Sequence, residues 1–183
     1  MTMLARAGSI AIASIAIASL AITSLGLLGG HALAQPAKLG CTSAPTAQET
    51  QTLQCPTAIT IVAESGAKFE LGDRNRDGHV DSVELSNKAL LLEVPKKPGR
   101  VRFNVVTPQA IAAVRGTRWA VDAEGAKTSV FVVDGRVSVA RSAGRGSVVL
   151  GAGDGVDVEG SGELIVKRWP PARVTALMAR LGQ

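Results

Sequence analysis

Between Val101 and Glu159 the chain alternates short apolar, β-branched stretches with glycine turns, and little except a β-sheet can be built from that rhythm. Val101-Arg102-Phe103-Asn104-Val105, Trp119-Ala120-Val121-Asp122, Arg136-Val137-Ser138-Val139 and Val156-Asp157-Val158-Glu159 alternate apolar and polar residues with period two. That is the pattern of strands with one face buried. Thr128–Val133 and Ala89–Val94 are apolar almost throughout, as expected of strands covered on both faces. Between these runs stand Glu124-Gly125, Asp134-Gly135, Gly144-Arg145-Gly146 and Gly151-Ala152-Gly153-Asp154-Gly155. Glycine supplies the positive φ of tight turns, and Asp-Gly between β-branched runs signals a hairpin. Strands recurring at roughly 8–12-residue spacing predict an all-β sandwich, barrel or β-solenoid. No repeat period separates these three.

One short helix is predicted at the carboxyl end, over 169–183. Trp169-Pro170-Pro171 opens it, proline being tolerated in a first turn where the amide has no partner. Val174, Leu177, Met178 and Leu181 fall on one face, with Arg173 and Arg180 placed off it, and Gly182 ends the element. Such a helix closes the open end of the β core or docks a partner.

The amino terminus addresses compartment. In residues 1–34 Arg6 is the only charge, Ser9–Leu28 is apolar or small, and Ala32-Leu33-Ala34 is an A-x-A cleavage site, which together make a signal peptide. The alternative is an uncleaved inner-membrane anchor over 8–34, since roughly 20 apolar residues can span a bilayer. Leu39-Gly40-Cys41 is a weak lipoprotein pattern, with Lys38 where an aliphatic residue is wanted. Removal of 34 residues leaves 149, enough for one core, and lowers the net charge from +5 to +4. The charge is spread out, with no basic run interleaved with aromatics, so no nucleic-acid partner is expected. A membrane contact is expected only if the apolar segment is retained.

Segment 35–58 is polar and carries both cysteines, Cys41 and Cys55. An even count in an exported chain predicts one disulfide pinning this segment to the domain. Two cysteines without nearby histidines do not fill a tetrahedral metal site.

Thr107-Pro108, Val114-Arg115-Gly116-Thr117-Arg118-Trp119, Val133-Asp134-Gly135-Arg136-Val137 and Leu150-Gly151-Ala152-Gly153 follow one another in an order that carries more than fold class. Over roughly residues 83–159 the chain resembles the extracytoplasmic domain of the FecR family, the ferric-citrate-type transmembrane signalling regulators. The resemblance implies an antiparallel sandwich or β-solenoid-like domain over 59–168. It also implies a periplasmic or secreted location and a non-enzymatic binding role toward an envelope protein. Thr107, Pro108, Arg115, Gly116, Thr117, Trp119 and Gly135 match the family motif. Read from the residues, Gly116 permits a turn or bulge, Thr117 and Arg115 bond free carbonyls there, and Trp119 anchors the next strand. An exposed Arg115 could instead take an anion or a partner carboxylate. Family members couple an outer-membrane receptor to a cytoplasmic sigma factor and carry a helical anti-sigma domain. Only about seven residues precede the apolar segment here, so that domain is expected to be missing, and direct sigma-factor inhibition is not expected, which leaves an envelope binding or signalling role.

A second motif runs from Asp73 to Glu84 and satisfies the EF-hand loop pattern D-x-[DN]-x-[DN]-G-x5-E. It also resembles a dockerin calcium segment. Asp73, Asn75 and Asp77 would aim oxygens at one centre, His79 would lend its carbonyl, Asp81 would act through water, and Glu84 would close the site. Ser65-Gly66 interrupts any incoming helix, however, and the loop is single, so an Asp/Gly-rich β-turn is the competing reading.

There is no tyrosine, and His31 and His79 are the only histidines, the first inside the apolar segment. No Ser-His-Asp set and no phosphate loop is present, and Asp154 and Asp157 read as turn acids. The expectation is therefore an exported, non-enzymatic FecR-like module requiring no cofactor. The alternative is a calcium-binding interaction module using loop 73–84.

Overall fold

The structure is a computed structural model and describes residues 39–45, 50–96 and 102–183. The expected signal or anchor segment, residues 1–34, lies outside the described residues.

The described strands are β1 (Thr42–Pro45), β2 (Gln51–Gln54), β3 (Thr60–Ala63), β4 (Lys68–Gly72), β5 (Ser82–Val94), β6 (Phe103–Val106), β7 (Ala110–Val114), β8 (Thr117–Glu124), β9 (Lys127–Asp134), β10 (Arg136–Arg141), β11 (Ser147–Gly151), β12 (Asp154–Val158) and β13 (Lys167–Arg168). A single helix, α1 (Pro171–Arg180), follows. The all-β reading with one carboxyl-terminal helix holds.

β5 organises the sheet. Its first half, Ser82–Asn87, pairs with β4 and, in parallel, with β6. Its second half, Lys88–Val94, pairs with β3 and β8. Lys88 marks the switch, with φ of 70°, a left-handed conformation rare outside glycine. From one half the sheet runs β6-β7-β10-β11, and from the other β8-β9-β12-β13. The sheet therefore curls into two facing layers, an antiparallel, sandwich-like arrangement whose one departure is the parallel β5–β6 pair.

Side chains at alternate positions fill the space between the layers. Phe103, Val105, Val137 and Val139 come from one layer and Trp119, Val121, Val130 and Val132 from the other, all buried. Fully burying a residue of this size stabilises by roughly 1.5–3 kcal/mol over leaving it exposed. The uninterrupted apolar runs are covered twice. Leu90, Leu92, Val130 and Val132 enter this core, while Ala89, Leu91 and Phe131 face the other way.

That second face receives α1. Leu177 and Leu181, with Val174 and Met178 beside them, cover Ala89, Leu91, Ala120 and Phe131. The helix thus lies on the outer face of β5, β8 and β9 instead of closing the end of the sheet. The reason is the apolar face of those strands, which would otherwise meet water.

Segment 35–58 also differs from expectation. Cys41 and Cys55 do form a disulfide, but the described residues between them belong to the sheet. β1 and β2 make a hairpin whose second strand pairs with β3, and Leu53 is fully buried in the core. The bridge occupies the Cys41 sulfur that a lipoprotein would alkylate, which removes the lipoprotein reading.

Candidate functional site

Loop 73–81 joins β4 to β5 as a hairpin connection between two strands, with no EF-hand helix on either side. Its polar side chains turn inward onto the loop's own amides. Asp73 accepts from the amides of Asp77 (3.1 Å) and Gly78 (2.8 Å), and Asn75 Oδ1 accepts from Asp77 (3.0 Å). Asp77 accepts from the His79 amide at 2.9 Å and from the Asn75 side-chain amide at 3.0 Å. Asp81, buried, closes the circle by accepting from the amides of Arg74 (2.9 Å) and Asn75 (3.1 Å). Asp73, Asn75, Asp77 and Asp81 are thus gathered, and His79 contributes its amide. Glu84 stands apart, exposed on β5 opposite Glu70. Among the described residues, no three His, Cys, Asp or Glu side chains are arranged to hold a metal.

The family-motif residues form two corners. Thr107 is buried between β6 and β7, where its hydroxyl accepts from the Ala110 amide (2.9 Å) and meets the Thr128 hydroxyl on β9 (2.8 Å). The Pro108 carbonyl accepts from the Ser142 hydroxyl, holding the β10–β11 turn against this corner. At the other corner Gly116 has φ of 72°, and a Cβ there would stand 2.8 Å from the Lys96 Cα. Gly135 lies against it, since a Cβ at Gly135 would come 2.9 Å from the Gly116 carbonyl oxygen. Thr117 donates its hydroxyl to the Arg136 carbonyl at 3.1 Å, tying the two turns together. Trp119 is fully buried in the core, as its anchoring role requires. Of the two expectations for Arg115 the carbonyl contact is not made: the residue is exposed, and its guanidinium bonds no carbonyl among the described residues.

The polar cluster that sequence reasoning missed lies beneath α1. Arg180 donates to both oxygens of Asp122 (2.6 and 3.1 Å) and to Glu64 (2.6 and 3.1 Å), joining the helix to β8 and to the turn after β3. Burial pushes the Glu64 carboxyl upward, but hydrogen bonds from Arg180 and the Ala89 amide, with the charges of Arg180 and Lys88, outweigh it and hold the group below its ordinary value. Arg173 donates to Asp157 at 2.9 Å and lies 3.6 Å from the centre of the Trp169 ring. Asp157 is likewise held low: burial raises it, and hydrogen bonds from Arg173 and Ser129 more than reverse that. Arg173 and Arg180 are seven residues apart, which places them on one side of a helix. That spacing was the available signal. Asp154 is separately occupied, by the Gly151 amide and Arg168.

The profile described as FecR protein matches residues 42–138, just over half of the chain. The range starts at β1, earlier than the motif residues alone suggested, and ends within β10. Two crystal structures of a candidate anti-sigma factor from Parabacteroides distasonis ATCC 8503 share the fold. The 2.50 Å structure has a TM-score of 0.59 at 22% identity, and the 1.65 Å structure a TM-score of 0.58 at 21%. Each match covers 75% of this chain and 64% of that one, so the chain spans less than two thirds of the relative's length. No curated protein matches the chain. Both motif corners fall inside the matched range and hold the two layers in place, and the chain belongs to the FecR protein family.

Proposed function

We propose that the protein is an exported, non-enzymatic regulatory module that acts by binding another envelope protein in a signalling chain. The observation that carries this reading is the family match over a domain whose motif residues serve turns and core, leaving Arg115 exposed with its guanidinium unused by any bond among the described residues. The Cys41–Cys55 bridge is compatible with an oxidising compartment. No helix among the described residues is long and apolar enough to cross a membrane, and the signal-peptide pattern of residues 1–34 supports export. The fold shared with a candidate anti-sigma factor supports a protein partner over a small-molecule substrate. Transcript profiling of a strain lacking the gene tests the reading: promoters served by one sigma factor shift together, whereas an unchanged profile sinks it.

A second reading keeps loop 73–84 as a calcium site, carried by its residue pattern, and requires Asp73, Asn75, Asp77 and Asp81 to exchange their bonds to loop amides for the ion. On that reading Asp81 replaces Glu84 as the closing carboxylate. Millimolar calcium then raises the Tm, and Asp73→Ala with Asp81→Ala abolishes the rise. On the first reading calcium and chelator give the same Tm.

A further inference from the structure

Among the described arginines, Arg74, Arg76 and Arg145 are exposed on loops with no bonded guanidinium, and those on or beside the strands fall into two groups. Arg118, Arg141, Arg168, Arg173 and Arg180 all spend their guanidinium groups on partners within the chain. Arg102, Arg115 and Arg136 are exposed, and among the described residues no hydrogen bond or ion pair uses their guanidinium groups. These three are neighbours. Val114 on β7 pairs with Phe103 on β6 and with Val137 on β10. The same register carried one residue further sets Arg102 and Arg136 on either side of Arg115. Phe103, Val114 and Val137 point into the core, so alternation sends the three arginines outward, in a row spaced by about 4.8 Å per strand.

Behind this row the outer face carries no charge. The next two cross-strand rows are Asn104-Ala113-Ser138-Val149 and Val106-Ile111-Ala140-Ser147. On the outer face the neighbouring strand brings Glu84, paired with Val106 at the far side, while Asp77 and Asp81 of the loop beside Phe103 are already bonded to loop amides. Asp134, near the arginine end, is already answered by Lys96 at 3.9 Å. Val149, 63% exposed, lies on β11, which pairs only with β10. β11 has no charge and no proline, the devices that usually guard a free edge. The opposite layer has its outer face covered by α1, whereas nothing among the described residues covers this one.

We propose that the outer face of β6, β7, β10 and β11 docks an acidic protein segment, with carboxylates on Arg102, Arg115 and Arg136 and apolar residues on the uncharged rows. Guanidinium groups fit carboxylates in a bidentate way, and a row of three with no internal acid leaves that positive charge for a partner to neutralise. A second copy of this chain is the wrong occupant, because it would bring the same cations to the surface. This surface rests on the binding role proposed above and specifies its partner's chemistry.

The test is fluorescence anisotropy of a labelled synthetic peptide of mixed Glu, Ala and Val against the oxidised protein, beside sedimentation with phosphatidylglycerol vesicles. The peptide binds in a salt-sensitive manner, and R115E/R136E weakens it by about tenfold or more. R74E/R76E, which moves the same charge on exposed loop residues, changes affinity little. R115Q/R136Q supplies a milder pair should charge reversal perturb folding. No peptide binding, equal loss in R74E/R76E, or binding to vesicles alone overturns the proposal. If deleting the gene changes transcription but R115E/R136E restores the response like wild type, the surface is wrong and the regulatory reading stands. If deletion changes nothing, that reading fails whatever the peptide does.

Discussion

The indole of Trp169 lies directly over Gly155: a Cβ on Gly155 would come within 2.2 Å of the Trp169 Nε1. The ring stacks on Phe131 with centroids 5.1 Å apart and carries the Arg173 guanidinium on its other face. Gly155 is therefore required as the one residue small enough to let the helix-bearing segment settle on β12. Gly155→Ala is expected to cost about 1–3 kcal/mol, the range for overpacking a close contact. Tryptophan emission should shift to the red as Trp169 is displaced, with urea unfolding giving the loss. A variant with wild-type emission and stability would show that the segment does not dock this way.

Arg180 is the second clamp. Arg180→Met removes the cation shared by Asp122 and Glu64, whose side chains are only 11% and 10% exposed. With Asp122 left without its cation and Glu64 left to the Ala89 amide and Lys88 alone, urea unfolding should show a loss of about 1–3 kcal/mol. Arg180 itself is 38% exposed, which keeps the figure below that of a fully buried pair. Arg180→Lys should recover part of it, since lysine keeps the charge but cannot fork to two carboxylates.

Acid should act on the same cluster. Glu64 and Asp157 are held below their ordinary values of 4.5 and 3.8, so the unfolded chain takes up protons at higher pH than the folded one. Their contribution is fully present above about pH 5 and is lost as pH falls through the lower, folded values. The Tm should therefore stay level from pH 7 to about 5 and decline below it. In E64Q/D157N the Tm should start lower and decline less steeply.

The disulfide closes the β1–β2 hairpin, its two cysteines 14 positions apart in the sequence. Replacing both by serine should lower stability by about 3 kcal/mol, as cross-link entropy for a loop of that size indicates. Because Leu53 belongs to the common core, the loss should appear in the single global unfolding transition, with no separate transition for a loose segment.

Period-two alternation at Arg136–Val139 and the continuous apolar run at Thr128–Val133 were legible because a strand's two faces are written directly in its residues. The Gly116 corner was legible as a turn for the same local reason. What could not be read is what depends on distant segments meeting. The bend at Lys88 splits one strand between two layers, and no local pattern announces a lysine at positive φ. The position of α1 followed from the outward faces of Ala89, Leu91 and Phe131, which only the assembled sheet brings together. Arg173 and Arg180 looked like solvated helix charges because Glu64, Asp122 and Asp157 lie on other strands and turns. In loop 73–84 the residue spacing left a metal shell and an Asp/Gly-rich turn both open. The structure shows Asp73, Asn75, Asp77 and Asp81 satisfying backbone amides, and Glu84 held away by β5.

The most direct measurement is complementation of a deletion strain, read as transcript profiles, with the full chain and with a version lacking residues 1–34 that is retained in the cytoplasm. The account predicts that only the exported form, with Cys41 and Cys55 oxidised, restores the sigma-dependent promoters. Restoration by the cytoplasmic, reduced form, or no transcriptional change on deletion, would contradict it.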